Sequence, residues 1–193
     1  MKEGKIIIFS APSGAGKTTV VRHLLSKNKN FAFSVSATSR KPRGKEQHGV
    51  DYFFMTADEF KTKIKDNEFL EWQEVYPDSF YGSLKSEVDK TLNEGKNILF
   101  DVDVVGGSNI KKIYGHRALA LFIQPPSITE LEKRLIARST DNKEGIRERL
   151  EKAERELAFA HLFDVIIVND TLEHALQEAE DRVEAFLKAE KEE

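Results

Sequence analysis

Cysteine is absent from this chain of 193 residues, so neither a disulfide framework nor a thiolate metal site is available to it. Long apolar runs are also absent, because none approaches the roughly 20 residues that a membrane-spanning helix needs. The apolar run near the N-terminus is too short for a signal-peptide core, and no small-residue cleavage site follows it. An excess of positive charge is lacking too: the net charge is -3, which argues against nucleic acid or an anionic membrane as a partner. The composition therefore predicts a cytoplasmic globular protein with one compact core and no such partner. The sequence does not indicate an oligomeric state.

Short apolar runs and helical periodicities alternate along the chain. Buried strands are predicted at 5–10, 97–103, 118–124 and 164–170. Helices are predicted at about 17–27, 57–65, 84–93, 127–137, 143–161 and 171–189, and Asp170 with Glu173 fits a capping box at the start of the last helix. This alternation is typical of an α/β fold with a parallel sheet.

The stretch "APSGAGKT", which begins at Ala11, nearly matches the phosphate-loop pattern G-x-x-x-x-G-K-[ST]. In such a loop the backbone N–H groups face a phosphate, and the following helix directs its positive end at the same anion. Gly14 and Gly16 would let the backbone approach the anion. Lys17 would bridge two phosphates, and Thr18 would offer a hydroxyl to Mg²⁺. Ala11 replaces the first glycine of the pattern, which is tolerable if its φ is negative. A chance glycine-rich turn is the alternative, and the predicted strand before and helix after favour a phosphate loop.

A carboxylate at a neighbouring strand end is expected to hold Mg²⁺ through its water shell. The predicted strand 97–103 offers Asp101 and Asp103. A solvated strand end is the alternative. With a phosphate loop in the chain, the magnesium interpretation is favoured for Asp101, and both interpretations stay open for Asp103.

A basic stretch, "SRKPRGK", places Arg40 and Arg43 on either side of Pro42. Two guanidinium groups so placed can clamp one phosphate, and Tyr52 and Tyr81 can add hydroxyl donors. Taken alone, these residues favour the alternative, an exposed basic loop.

In series, the motifs "SAPSGAGKTT", "SVSATSRKPRGKEQHGVDYFF", "EFLEW", "YGS", "LFDVDVVG", "PPS" and "VNDT" resemble the guanylate kinase family in order and spacing. The resemblance runs from Lys5 to Phe186. It implies a three-layer P-loop NTPase core with a parallel sheet, an inserted GMP-binding lobe and a lid. It also implies an enzyme that uses Mg²⁺ and transfers the γ-phosphoryl group of ATP to GMP. One departure is Val105, where the family usually has glutamine.

The resemblance also implies roles for individual residues and a division of the chain. The loop that holds the ATP phosphates corresponds to Ser13, Gly14, Ala15, Gly16, Lys17 and Thr18. The residues that read the guanine base correspond to Ser36, Glu71 and Ser83. The GMP phosphate is assigned to Arg40, Arg43, Tyr52 and Tyr81, with Gly82 in the turn beside it. Asp101 is placed between the two nucleotides and is expected to contact GMP. Arg134, Arg138 and Arg149 correspond to lid and lid-flank arginines that close over the phosphates, and Asn169 corresponds to a polar residue near the nucleotide sites. Of these, Arg134, Arg138 and Asn169 are expected to bind ATP. The residues expected to act in catalysis are Lys17, Arg40, Arg138 and Arg149. The expected division is a core of 1–32, 84–124 and 150–193, a GMP-binding lobe of 33–83 and a lid of 125–149.

Two other functions stay open at this point. One is a catalytically silent, guanylate-kinase-like module that binds phosphorylated peptides, against which the intact Lys17 argues. The other is a kinase for a different nucleoside monophosphate or a ribosyl phosphate. Glu71 bears on that choice, because an ionised carboxylate can accept the two adjacent donors of guanine and repels the N1 acceptor of adenine. Regular alternation along "EFLEWQEV" would place Phe69 and Glu71 on one strand face, and Glu71 could equally be the polar side of that strand.

Overall fold

A computed structural model describes residues 3–138 and 143–189, with the side chains of Arg138 and Lys143 outside its description. In chain order the strands are β1 (Ile6–Ser10), β2 (Phe31–Phe33), β3 (Ala37–Thr38), β4 (Phe53–Phe54), β5 (Phe69–Tyr76), β6 (Ser79–Leu84), β7 (Asn97–Asp101), β8 (Ala118–Gln124) and β9 (Val165–Val168). The α-helices are α1 (Lys17–Lys27), α2 (Ala57–Lys65), α3 (Lys85–Asn93), α4 (Val104–Tyr114), α5 (Ile128–Arg138), α6 (Lys143–Leu157) and α7 (Leu172–Lys188). All four strands predicted from the apolar runs are present, as β1, β7, β8 and β9.

The central sheet is parallel, with strand order β2-β7-β1-β8-β9. Ile8 in β1 lies opposite Phe100 in β7 and Ala120 in β8. Because parallel strands end at the same edge of a sheet, the loop after β1 and the end of β7 lie side by side. This edge carries both the glycine-rich loop and Asp101.

Both faces of the central sheet are covered, which confirms the predicted three-layer α/β core. Ile6 and Ile8 point into a cluster with residues of α3 and α4, whereas Ile7 and Phe9 point into a cluster with residues of α1 and α7. All four side chains are fully buried. Burial on both faces explains why these strands read as continuous apolar runs rather than as alternating ones.

A second sheet, of order β4-β3-β6-β5, has its own hydrophobic cluster. Strands β3 and β4 pair in parallel, and β6 pairs antiparallel with both β3 and β5. Helix α2 closes this cluster with Phe60, whose ring stacks on Phe69 at 4.2 Å between centroids and on Phe80 at 5.3 Å. We call this unit the lobe. It stands between β2 and α3 in the chain.

Helix α4 was not predicted, because Gly106 and Gly107 give its sequence a poor helix propensity. Two contacts stabilise it nonetheless. The carboxylate of Asp103 accepts a hydrogen bond from the Gly106 amide at 2.7 Å and caps the helix. A β-carbon at Gly107 would come within 2.9 Å of the Ser10 hydroxyl, so glycine is what lets the helix pack directly on β1.

Two details of the C-terminal part differ from the sequence prediction. The helix predicted at 143–161 ends at Leu157, and a short 3₁₀ turn, Ala160–Leu162, follows it. The capping box predicted for Asp170 and Glu173 is wrong. Thr171 is the residue that caps α7, while the Asp170 carboxylate accepts from the Thr171 amide at 2.6 Å.

Within the described ranges, no helix combines the length and the apolar composition needed to cross a membrane.

Candidate active site

A cleft of about 730 Å³ opens between the carboxyl edge of the central sheet, the lobe and helix α6. It brings together residues that the sequence assigned to two different nucleotides. From the loop after β1 the lining includes Ser13, Gly14, Gly16, Lys17 and Thr18. From the lobe it includes Ser36, Tyr52, Glu71, Tyr81 and Gly82, and from β7 it includes Asp101. The predicted site residues outside this lining, among those whose side chains are described, are Ala15, Arg40, Arg43, Ser83, Arg134, Arg149 and Asn169.

The loop after β1 has the backbone conformation of an anion cradle. Gly14 and Gly16 have φ values of 93° and 104°, in the left-handed region that glycine adopts without strain. A β-carbon at Gly14 would also come within 2.9 Å of the Leu135 side chain, and one at Gly16 would overlap the amide of Asn169. Glycine is therefore required at both positions by conformation and by space.

Ala11 fits the start of this loop. It is 8% exposed and belongs to the cluster between the sheet, α1 and α7. Among the described residues, Asn67 and Asp78 are the non-glycine residues with positive φ, so Ala11 has a negative φ. The condition under which alanine was expected to replace the first glycine of the pattern is met.

Helix α1 presents an uncapped N-terminus to the cleft. The residue before it is Gly16, and no side chain in the described part of the chain caps it. The Thr19 N–H donates to the Gly16 carbonyl at 3.0 Å, whereas the N–H groups of Lys17 and Thr18 have no acceptor among the described residues. These two N–H groups are available to a ligand, and the helix dipole adds partial positive charge at the same point. This is the arrangement by which helix N-termini bind phosphate.

Lys17, the first residue of α1, crosses to the end of β7. Its Nζ lies 2.6 Å from Asp101 Oδ1 and donates a hydrogen bond to the Val102 carbonyl at 3.0 Å. The Ser10 hydroxyl lies 2.9 Å from the Val102 carbonyl oxygen and 3.0 Å from that of Asp103, which holds this segment against β1. Both charges of the pair border the cleft.

The Asp103 carboxylate, for which two interpretations were open, caps α4. It is committed to the Gly106 amide, although Asp103 also lines the cleft. We therefore assign Asp103 a structural contact within the site.

Glu71 faces the cleft because of an irregularity in β5. Phe69 pairs with Leu84 and Glu71 with Ser83, so two steps along β5 match one step along β6. Such a bulge re-aims the following side chains. Phe69 consequently packs in the lobe core and Glu71 lines the cleft. The prediction that regular alternation puts both on one face is wrong.

The Glu71 carboxylate lies in a buried and already negative environment. Its Oε1 accepts a hydrogen bond from the Ser83 hydroxyl at 2.7 Å. Burial raises the pKa of Glu71, the Ser83 hydrogen bond opposes that effect, and the negative charge of Asp103 adds to it. A carboxylate held this way gains from a ligand that donates hydrogen bonds to it.

Arg40 is held in a ring of contacts beside the cleft. Its guanidinium pairs with both carboxylate oxygens of Glu46, at 2.6 and 2.8 Å, and its Nε donates to the Tyr81 hydroxyl at 3.0 Å. The same group lies over the Tyr52 ring, 4.7 Å from its centroid. Arg40 thereby fixes two tyrosines that do line the cleft. The side chain of Arg43 is exposed.

Glu46 is a residue that the sequence reasoning missed. Besides Arg40 it accepts the backbone N–H of Arg43 at 2.7 Å, so it organises the basic stretch as a whole. The Arg40 guanidinium, together with the Arg43 amide, lowers the pKa of Glu46 to about 2. Because residues 40–46 form a loop, no helical or strand periodicity relates Glu46 to Arg40, and the sequence offered no signal for this pair.

Helix α6 contributes a second set of residues that were not predicted. Lys152 and Glu156 line the cleft, and with Arg149 they recur at spacings of three and four, which puts them on one helix face. Burial raises the pKa of Glu156, while the charges of Lys152 and Lys17 oppose that rise. The spacing from Arg149 was the signal that could have identified both residues.

The predicted lid residues lie on and around α5. Arg134 donates to the backbone carbonyl of Asn169 at 3.1 Å, and the Asn169 side chain donates to the Ala15 carbonyl at 2.7 Å. The side chain of Arg138 lies outside the described part of the structure. Gly14 packs against Leu131 and Leu135 of α5, so the phosphate loop and this helix are in direct contact.

A magnesium ion is implied by the resemblance, and the donors present suit it. Thr18 offers an exposed hydroxyl and Asp101 a carboxylate, both at the cleft. Within the described residues, His, Cys, Asp and Glu side chains form no group of three or more that could hold a metal. Mg²⁺ is typically held by one or two protein oxygens, substrate phosphates and water, so this small donor set fits the ion.

Comparisons with known proteins agree with this geometry. Residues 3–186 match the protein-family model described as guanylate kinase. The chain is 60% identical over 185 residues to a guanylate kinase of Bacteroides fragilis, a match that covers 96% of this chain and 91% of the relative. It is 53% identical over 184 residues to a guanylate kinase of Porphyromonas gingivalis, covering 95% and 98%. Among solved structures it is similar to a guanylate kinase from Anaplasma phagocytophilum, with a TM-score of 0.69 and 27% identity over all of this chain and 89% of that one.

Proposed function

The chain belongs to the guanylate kinase family and is an ATP:GMP phosphotransferase, and we propose that the cleft between the phosphate loop and the lobe is where the transfer occurs. The observation that carries this proposal is the position of Glu71. A buried carboxylate that can read guanine faces the same cleft as an uncapped, glycine-rich helix N-terminus that can hold a triphosphate.

We propose that the ATP phosphates bind at the loop from Ser13 to Thr18. The supporting geometry is the left-handed backbone at Gly14 and Gly16 and the N–H groups of Lys17 and Thr18, which no acceptor in the described part of the chain engages. Lys17 would then exchange its contact with Asp101 for the phosphates, where negative charge is denser. Arg134, Arg138 and Arg149 are proposed to act from α5 and α6, the two helices on that side of the loop.

We propose that the guanine base binds at Glu71, Ser83 and Ser36. The ionised Glu71 carboxylate can accept from N1–H and from the 2-amino group together, while a serine hydroxyl donates to O6. Binding would provide hydrogen-bond donors to a carboxylate whose burial leaves it poorly solvated. Adenine provides an acceptor at N1 and no 2-amino group, so it leaves Glu71 unsatisfied.

The GMP phosphate is proposed to meet the hydroxyls of Tyr52 and Tyr81, with Arg40 and Arg43 next to them. Arg40 donates to the Tyr81 oxygen, which leaves the Tyr81 proton free to point into the cleft. Gly82 follows Tyr81 on β6, and a β-carbon there would come within 2.7 Å of the Glu71 carbonyl oxygen and 2.9 Å of the Trp72 side chain, so glycine lets β5 and β6 approach beside the cleft. The acceptor phosphate is anionic near neutral pH, so no general base is required.

We propose that Mg²⁺ binds with ATP, contacted by the Thr18 hydroxyl and by Asp101 through water. When bound, the ion would neutralise charge on the β- and γ-phosphates. Lys17 and the arginines would align two anions that repel each other and offset the charge on the transferred group.

We propose that the lobe (33–83) and the lid (125–149) close over the core (1–32, 84–124 and 150–193) when both nucleotides are bound. Closure would exclude water, the competing acceptor of the phosphoryl group. The lobe has its own hydrophobic cluster, which supports movement as a unit.

A cytoplasmic location, with neither nucleic acid nor membrane as partner, is proposed from the absence of cysteine and the net charge of -3.

The experiment that tests this function is a coupled assay with ATP as donor and GMP, AMP, UMP or CMP as acceptor. GMP should be used with the highest kcat/KM by several orders of magnitude, as expected for a site built to hydrogen-bond its substrate, about 10⁴-fold. Equal use of GMP and another nucleotide would contradict the proposed role of the cleft.

A further inference from the structure

Asn169 is a buried polar residue at the carboxyl edge of the central sheet, immediately after β9. It is 5% exposed, and its backbone amide donates to the Gln124 carbonyl at 2.8 Å, which fixes its position beside β8. Its side-chain Nδ2 donates to the backbone carbonyl of Ala15 at 2.7 Å. The side chain of Asn169 therefore faces the phosphate loop from behind and does not line the cleft.

This hydrogen bond determines how one peptide unit of the loop is oriented. The peptide between Ala15 and Gly16 is planar and trans, so its carbonyl and its N–H point in opposite directions. Asn169 holds the Ala15 carbonyl on the side away from the cleft. The Gly16 N–H is thereby directed to the side where a phosphate would bind.

Two further contacts show that the loop is built around this side chain. A β-carbon at Gly16 would overlap the Asn169 amide, so glycine at that position makes room for it. The backbone carbonyl of Asn169 accepts from Arg134 at 3.1 Å. One residue thus contacts both the phosphate loop and helix α5.

We propose that Asn169 is a positioning residue that orients the Gly16 N–H toward the nucleotide phosphates, and that it acts on ATP through the loop rather than by direct contact. The inference rests on the proposed function, because it takes the loop as the ATP-phosphate site. It predicts that loss of the Asn169 amide weakens the binding of phosphate groups and leaves the binding of the nucleoside part unchanged.

The test is a set of calorimetric titrations of the full chain with inorganic pyrophosphate, adenosine and GMP. The variants are Asn169→Ala, which removes the amide, and Asn169→Asp, which keeps the shape and replaces the donor with an acceptor. The matched control is Asn97→Ala. The Asn97 side chain also bonds to the backbone, although as an acceptor: its Oδ1 accepts the Lys5 N–H at 2.8 Å. Asn97 stands at the opposite end of β7 from Asp101.

Both Asn169 variants should raise the Kd for pyrophosphate by about 10-fold or more, the size expected when one oriented donor is lost. Their Kd values for adenosine and GMP should stay within twofold of the parent, and Asn97→Ala should bind all three ligands like the parent. Unchanged pyrophosphate binding in a folded Asn169 variant overturns the inference. So does a loss confined to adenosine, which would make Asn169 a direct ligand of the nucleoside.

Two measurements keep the result interpretable. In the unaltered protein, the Gly16 amide resonance should shift on addition of pyrophosphate, and no shift would overturn the inference even if both Asn169 variants failed to fold. Lys17→Ala should lose pyrophosphate binding whatever the role of Asn169. If Lys17→Ala bound pyrophosphate normally, the loop itself would be misassigned, which separates failure of the proposed function from failure of this inference.

Discussion

The ammonium of Lys17 lies 2.6 Å from the Asp101 carboxylate, so the lysine of the phosphate loop is already directed across the cleft to the end of β7. The two side chains are 19% and 21% exposed. Both groups also border the cleft, so an arriving anion can reach the lysine directly. Arriving phosphates can therefore compete with Asp101 for the lysine.

Lys17→Ala should lower kcat by about 10²- to 10³-fold, since it removes a positive charge from the point where negative charge concentrates in the transition state. The fold should be retained, because Lys17 makes no contribution to the hydrophobic clusters. Lys27→Ala is the matched control, as it removes a lysine from the other end of the same helix. Steady-state kinetics with ATP and GMP measure both, and near-parent activity of a folded Lys17→Ala would rule out the phosphate-loop assignment.

Arg40→Ala should weaken GMP binding by about 10- to 100-fold, the range for losing hydrogen bonds to a charged group, and leave ATP binding nearly unchanged. Two effects combine: the phosphate loses a nearby guanidinium, and Tyr52 and Tyr81 lose the group that holds them. Arg40→Lys should restore little, because an ammonium cannot pair with Glu46 and contact Tyr81 in the same geometry. Separate titrations with GMP and a non-hydrolysable ATP analogue measure this. An equal loss for both ligands would argue against separate nucleotide sites.

The pH dependence should reveal Glu71. Burial raises its pKa, and the carboxylate must be ionised to accept two donors from guanine, so kcat/KM for GMP should begin to fall at a higher pH than an ordinary glutamate would cause. Glu71→Gln should lack this acid limb. Parent and variant are both measured with GMP, so protonation of GMP affects both pH profiles equally and does not contribute to their difference. Superimposable pH profiles for parent and variant would contradict the assignment.

The same shift has a consequence for stability, with a definite sign. A carboxyl whose pKa is higher in the folded state binds more protons when folded, so its contribution to stability falls as pH rises through the folded-state pKa. Glu71→Gln should therefore raise the melting temperature relative to the parent at neutral pH, and the difference should shrink in acid as Glu71 becomes protonated. Thermal unfolding at pH 5 and pH 7.5 provides the check. A gap that widens in acid would indicate that the Glu71 carboxylate is stabilised by the fold rather than strained by burial.

Closure of the lobe and lid should reduce the radius of gyration when GMP and a non-hydrolysable ATP analogue are both present. Each ligand alone should give a smaller change, because each contacts one movable part and the core. Small-angle scattering of the free and doubly bound protein tests this, and identical scattering curves would favour a rigid cleft.

The sequence was sufficient to predict the central sheet, and it identified many of the residues that line the cleft, for physical reasons that can be named. Strands such as β1 are buried on both faces and read as unbroken apolar runs, and the loop from Gly14 to Thr18 is a local motif between a strand and a helix. Helix α4 was missed because Gly106 and Gly107 lower its helix propensity, while the close packing of Gly107 on Ser10 that stabilises it joins two distant segments. The Asp103 cap was the one local signal for this helix.

The other misses involve contacts between distant or irregular segments. The direction of Glu71 depends on a bulge in β5 that no alternation rule anticipates. Asn169 was assigned to the site by resemblance, but its hydrogen bond to Ala15 spans 154 positions in the chain and was not predicted. Glu46 is near Arg40 in sequence, but its role depends on the path of the intervening loop. Sequence patterns identify which side chains are present, but the tertiary structure determines which groups each side chain contacts.

The most direct test of the account is the ratio of kcat/KM for GMP to that for AMP, measured in the parent and in Glu71→Gln. The variant keeps the size of the side chain and an acceptor for Ser83, but it offers guanine one acceptor in place of two. We predict a parent ratio of about 10⁴ that falls by at least 10-fold in the variant, with most of the change in the GMP value. A ratio that is the same in both proteins would mean that Glu71 does not read the base.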